Sequence, residues 1–235
     1  MNINVKEIRS HIIIICGYVI LTVFLTFPLT YFFNSAIAGI GYSSNSTSDL
    51  GIFLWNLWHT NKSLINLTNP FFTYDILYPF GCNLVFHSNT FLHGLLAFIL
   101  LKLFTITTTA NIVTFFTFVV SAYGVFLLID YILKNKSAAF IGGVIFAFCP
   151  YRMIQLLEHY DLASTEWMPF YALFLIKFIS EEKRYYINLV MLSLFLLLTT
   201  FSHNYYTFYL LIFTALYIFY VIITKQKKFS DHVFV

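Results

Sequence analysis

The chain has 235 residues, of which 60% are hydrophobic and 10% charged. An ordinary soluble domain carries roughly 25% charged residues, so too little polar surface remains here to face water, and a single soluble core is excluded. The net charge is +3 and the cations form no basic stripe, which excludes a nucleic-acid partner.

The solvent that suits this composition is lipid. The expected fold is all-α: a polytopic transmembrane helix bundle of about six spans, forming one domain over residues 1–235. The 29 Phe and 17 Tyr suit both bundle packing and the membrane interface. The three cysteines, Cys16, Cys82 and Cys149, show no paired spacing, so neither a disulfide framework nor a metal motif is expected.

Lys6 and Arg9 make a basic start before a long apolar stretch over residues 10–33. Ala36-Ile37-Ala38 has the small residues of a cleavage site. The apolar stretch, however, is about twice the length of a signal-peptide core, and an uncleaved first span is expected. A long polar-aromatic loop, residues 34–110, follows. Residues 39–48 are rich in Gly, Ser and Asn. Leu50, Phe53, Leu54, Leu57 and Trp58 then recur at helical spacing. Ser48 or Asp49 is placed to cap that helix. The helix is expected to lie on the membrane surface with Trp55 and Trp58 at headgroup depth. Asn69-Pro70 ends it, and Tyr78-Pro79-Phe80-Gly81 reads as a turn. Residues 91–104 are apolar, but about 14 residues is too short to cross.

Five further spans are expected over residues 111–133, 138–154, 162–179, 187–201 and 205–224. The cations test this count. If residues 91–104 do not cross, the inner side collects Lys6 and Arg9, Lys134 and Lys136, Lys183 and Arg184, and Lys225, Lys227 and Lys228. The outer side then keeps only Lys62, Lys102 and Arg152. If they do cross, every later cluster inverts. Six spans with both termini cytoplasmic is the better arrangement.

The polar chemistry therefore gathers on the outer side. The long loop holds Asp49, His59, Asp75, His87 and His93, with no zinc-type spacing among them. Arg152, Glu158, His159 and Asp161 form the densest ionisable group. Glu158 and Asp161, three apart, share a helical face and suit a divalent cation or a general base; an interfacial salt-bridge cluster explains the same residues. Ser202-His203-Asn204-Tyr205-Tyr206 forms the last outer turn and either lines the same cavity or simply anchors it.

Asp49-x5-Trp55-x2-Trp58 is the first of three suggestive stretches. The second runs from Asn69-Pro70-Phe71-Phe72-Thr73 through Tyr78-Pro79-x-Gly81-x-Asn83-Leu84. The third runs from His159-x-Asp161 through Glu166-Trp167-Met168-Pro169. These three stretches look like those of bacterial and archaeal GT-C-like membrane proteins with no assigned reaction, and the element order over residues 10–220 resembles the amino-terminal module of the GT-C glycosyltransferase superfamily. That superfamily uses polyprenyl-phosphate-linked sugars. The resemblance implies a membrane glycosyltransferase in the cell membrane, moving a sugar from such a donor to an extracytoplasmic acceptor. It makes Asp49 the candidate base and Glu158, His159 and Asp161 the second-loop catalytic groups. Arg152 would meet the lipid phosphate, since a guanidinium matches phosphate geometry. Trp55, Trp58, His87, His203 and Asn204 would contact substrate. A divalent cation remains an open cofactor. The chain departs from the pattern in having one first-loop acid where several families have a pair. It is also short where family members usually continue with more spans, and either a truncated reading frame or a fragment of a longer protein would account for that. A lipid-linked-sugar flippase or transporter and a non-catalytic membrane scaffold subunit stay as alternatives.

Overall fold

A computed structural model describes residues 5–39, 49–85, 87–88 and 90–224. Most of the Gly/Ser/Asn-rich loop, Ser48 included, and the cations Lys225, Lys227 and Lys228 lie outside the described residues. Among the described residues, six stretches are long and apolar enough to cross a membrane: Val5–Leu25, Ile106–Leu133, Lys136–Glu158, Tyr160–Ser180, Glu182–Ser202 and Asn204–Ile223. The chain is a multi-pass membrane protein built as an all-α bundle, as its composition predicts.

Helix α1 (Val5–Leu25) begins and ends earlier than the apolar stretch suggests. Turns replace helix after Leu25, where Pro28 disfavours helical backbone at the preceding residue. Helix α2 (Leu50–Ile65) ends at Asn66, ahead of Asn69-Pro70. The predicted turn at Pro79 joins two strands that the sequence did not suggest, β1 (Phe72–Thr73) and β2 (Cys82–Asn83). They pair antiparallel, with Phe72 opposite Asn83. Two residues per strand are too few for alternation to register. Helix α3 (Phe91–Leu100) has 10 residues and falls short of a span, as expected.

Helix α4 (Ile106–Leu133) runs through the middle of the bundle. It starts before residue 111 because Thr105 caps it, its hydroxyl accepting from the Thr108 amide at 3.3 Å. The predicted span 138–154 is two helices, α5 (Lys136–Ala147) and α6 (Pro150–Glu158). Pro150 has no amide proton, and the helix cannot continue regularly through it. The predicted span 162–179 is also divided. A 3-10 turn (Tyr160–Ala163) leads to α7 (Met168–Ser180). Helices α8 (Tyr185–Ser202) and α9 (Asn204–Ile223) follow the predicted pattern within two residues.

Small residues let these helices meet. A Cβ added to Gly143 on α5 would stand 2.5 Å from the Ala122 carbonyl oxygen on α4 and would also strike Tyr18 of α1. Such close backbone approach is how helices associate in lipid, where apolar burial between them gains little. Tyr18 completes the joint by stacking on Phe140 at 4.7 Å and donating to its carbonyl at 3.1 Å. Gly94 of α3 meets Thr60 of α2 in the same manner.

The chain direction sorts charge by end. Lys6, Arg9, Lys134, Lys136, Lys183 and Arg184 stand at one end of the bundle, the basic end. The loop after α1, α2, the hairpin, α3, the α6–α7 connection and the α8–α9 turn gather at the other, the polar end. Asn111 secures the loop after α1, donating to the Phe33 and Ala36 carbonyls at 2.7 and 2.8 Å.

Candidate functional site

The three polar groups of the sequence converge at the polar end. Asp49 stands at the start of α2, and its amide donates to the Glu158 carbonyl at 2.9 Å, docking α2 on the end of α6. Its carboxylate does not cap α2 as predicted. It turns outward and stands 2.9 Å from Nδ1 of His159, both side chains being partly exposed. His159 terminates α6, which leaves its imidazole free to swing toward α2.

Asp161, on the 3-10 turn, forms a second carboxylate–imidazole pair, with His203 Nε2 at 3.3 Å. His203 Nδ1 accepts from the Tyr205 amide at 3.3 Å. That bond puts the neutral ring's proton on Nε2, facing Asp161. Asp49 and Asp161 line one narrow cleft with Asn56, Ser88 and Thr90. Its volume is about 10 Å3, room for a single water or hydroxyl. Asn56 closes one side by donating to the Ser88 carbonyl at 2.7 Å.

His87 belongs to the same neighbourhood. Burial holds its imidazole below the ordinary histidine value, against the pull of Asp161 and Asp49. Trp55 meets its ring edge-on at 6.1 Å and stacks flat on His59 at 4.7 Å. His59 too is held low by burial. Asp75 lies elsewhere on the surface, paired with Lys62 at 2.7 Å, which keeps its carboxyl below the usual range.

Beneath the cleft lies a dry polar layer that the sequence did not reveal. Glu166 is fully buried, and its Oε1 accepts from His93 Nε2 at 2.9 Å and from Ser202 Oγ at 3.0 Å. The triad joins α3, the α6–α7 connection and the end of α8. Its one signal in the sequence is a lone acid inside an apolar run, which in a membrane protein calls for a partner. Tyr160 stacks on Phe53 above it and meets His93 edge-on.

Several predicted roles change. Arg152 is not at the surface for a lipid phosphate; it is 1% exposed. Its guanidinium donates to the Ala163 carbonyl at 3.1 and 2.9 Å and to the Ala147 carbonyl at 2.9 Å, and lies on the Phe118 ring. Buried charge demands such partners, and here they are the carbonyls that end α5 and the 3-10 turn. Glu158 and Asp161 do not share a helical face, because α6 ends between them. Among the described residues the Glu158 carboxylate makes no hydrogen bond or ion pair, while its backbone carbonyl accepts from the Asp49 amide. Trp58 lies outside the cleft, under the Lys62 ammonium. Asn204 ties the last turn to the hairpin loop, donating to the Val85 carbonyl at 3.0 Å. Among the described residues no group of three or more His, Cys, Asp or Glu is placed to hold a metal ion.

No protein-family model, curated protein or solved structure matches this chain.

Proposed function

We propose that the chain is a membrane glycosyltransferase, or part of one, that moves a sugar from a polyprenyl-phosphate donor to a hydroxyl acceptor outside the cytoplasm of a cell. The observation that carries this reading is the Asp49–His159 pair at 2.9 Å, whose Asp49 lines a cleft shared with Asp161. A carboxylate that accepts from Nδ1–H holds Nε2 of the same ring as a proton acceptor. His159 is then the base, and Asp49 is the group that orients it. The acceptor oxygen attacks the anomeric carbon, its proton passes to His159 Nε2, and the bond to phosphate oxygen breaks with its electron pair leaving on the phosphate. Asp161 keeps lone pairs free for sugar hydroxyls.

The cleft admits one hydroxyl, so the acceptor enters by its reacting group alone. An apolar groove of about 460 Å3 runs alongside, between the turns after α1 and the Met153–Leu157 face of α6. It suits an isoprenoid chain ending near His159. Asp49 and Asp161 are the carboxylates that would hold a divalent cation, which would supply positive charge for the leaving phosphate; each is paired with a histidine. In this reading the cleft faces outward, and the basic end, with both termini, faces the cytoplasm, in line with the positive-inside rule.

One observation favours a second reading, a flippase for lipid-linked sugars. Arg152, Glu166 and His93 are ionisable and fully buried within the bundle, where transporters place such groups. A single experiment separates the two. The protein is reconstituted in liposomes with a polyprenyl-phosphate-linked radiolabelled sugar, and both transfer to acceptor and movement between leaflets are followed. Transfer that falls at least about 100-fold in His159→Gln supports the enzyme. Leaflet exchange without transfer would replace it with the flippase.

A further inference from the structure

At the basic end, far from the cleft, a groove of about 700 Å3 opens between the first turns of α1 and the start of α5. Three cations, Lys6, Arg9 and Lys136, stand along its rim. Lys136 Nζ donates to Ser10 Oγ at 3.3 Å, which ties the two helices together at the mouth. Below the rim the walls turn apolar, formed by Ile13, Phe140 and Ile141. Gly17 keeps the floor open, since a Cβ there would already stand 3.2 Å from the Phe140 ring. Ile13 and Ile141 are largely exposed and continue into the lipid-facing sides of their helices. Glu7 sits in the first turn of α1 but does not line the groove.

Cations above an apolar trough, at the end of membrane-spanning helices, match one chemical class. We propose that this groove binds an anionic glycerophospholipid, with its phosphodiester among Lys6, Arg9 and Lys136 and an acyl chain along Ile13, Gly17 and Phe140. Charge complementarity selects the headgroup, because a zwitterionic lipid brings no net charge to the rim. The trough selects a lipid over a free anion, because a soluble phosphate would leave it uncovered. The inference stands apart from sugar transfer, which concerns the opposite end of the bundle.

The test is native mass spectrometry of the purified full chain in detergent, with equal phosphatidylglycerol and phosphatidylcholine. The intact protein is expected to retain phosphatidylglycerol preferentially. Arg9→Gln with Lys136→Gln should weaken that preference by roughly fivefold per cation removed. Gly17→Leu keeps every charge but fills the trough, and should lose the bound lipid as well. Inorganic phosphate should not displace it. Equal retention of the two lipids, an unchanged preference in the double variant, full retention in Gly17→Leu, or displacement by phosphate would each overturn the proposal.

Discussion

His93 Nε2 lies 2.9 Å from Glu166 Oε1, and neither side chain reaches solvent. The two residues come from segments far apart in the chain, and Ser202 adds a third segment to the same oxygen. The cleft with its two carboxylate–imidazole pairs is built on this floor.

Glu166→Ala strands His93 and Ser202 without their shared acceptor. Breaking a buried pair from one side costs about 3–5 kcal/mol. A large drop in the detergent melting temperature is expected for Glu166→Ala and for His93→Ala. The double variant should cost much less than the two added together. Additive losses would mean that the two residues are not coupled.

Asp49→Asn should behave in the opposite way. Its pair with His159 is partly exposed, and such pairs contribute under about 1 kcal/mol. The melting temperature should barely move, while sugar transfer falls about 100-fold as His159 loses its orientation. Equal transfer by Asp49→Asn and the unaltered protein would remove Asp49 from the mechanism.

Acid should destabilise the polar end through His87. The fold holds its imidazole below the ordinary value, so the unfolded chain binds more protons in that range. Its contribution is present above about pH 6.5 and is lost as pH falls from there through the lowered folded value. Melting temperatures between pH 7.5 and 5 should fall less steeply in His87→Asn. A residual slope should persist from His59, which burial shifts in the same direction. An identical slope in the variant would exclude His87 as a source.

Gly143→Ala should cost about 1–3 kcal/mol, the usual range for overpacking. Adding Tyr18→Phe removes the hydroxyl and leaves the ring carbon Cζ at 2.8 Å and the Ala122 carbonyl at 2.5 Å. Rescue by the second change is therefore expected to be partial. Complete rescue would show that α4 and α5 have room to part.

The spans were legible because lipid imposes length and apolarity on a whole segment, as for α8 and α9. The short α3 could be read for the same reason. Boundaries slipped where a single residue decided them: Pro28 after α1, Thr105 before α4, Pro150 between α5 and α6. Asp49, His159, Asp161 and His203 stood out because charge is rare in this chain, and the fold unites them. Their pairing was not legible, since it depends on how α6 ends. Arg152 misled for a related reason. An arginine close to a predicted membrane surface suggests an anionic partner, whereas its partners are carbonyls that helical periodicity does not count. Glu166 was hidden within a motif that read as the start of a span.

The break at Pro150 and the Arg152 that bridges it also decide which part of the molecule can yield. Arg152 binds carbonyls on both sides of α6, so α6, the end of α5 and the 3-10 turn with Asp161 are riveted into one stiff jaw. Helix α2 meets that jaw through the Asp49 amide on the Glu158 carbonyl, the Asp49–His159 pair and the Phe53–Tyr160 stack. A guest larger than one hydroxyl would have to part α2 from that jaw, and of these three contacts the buried stack of Phe53 on Tyr160 is the one that lies deepest.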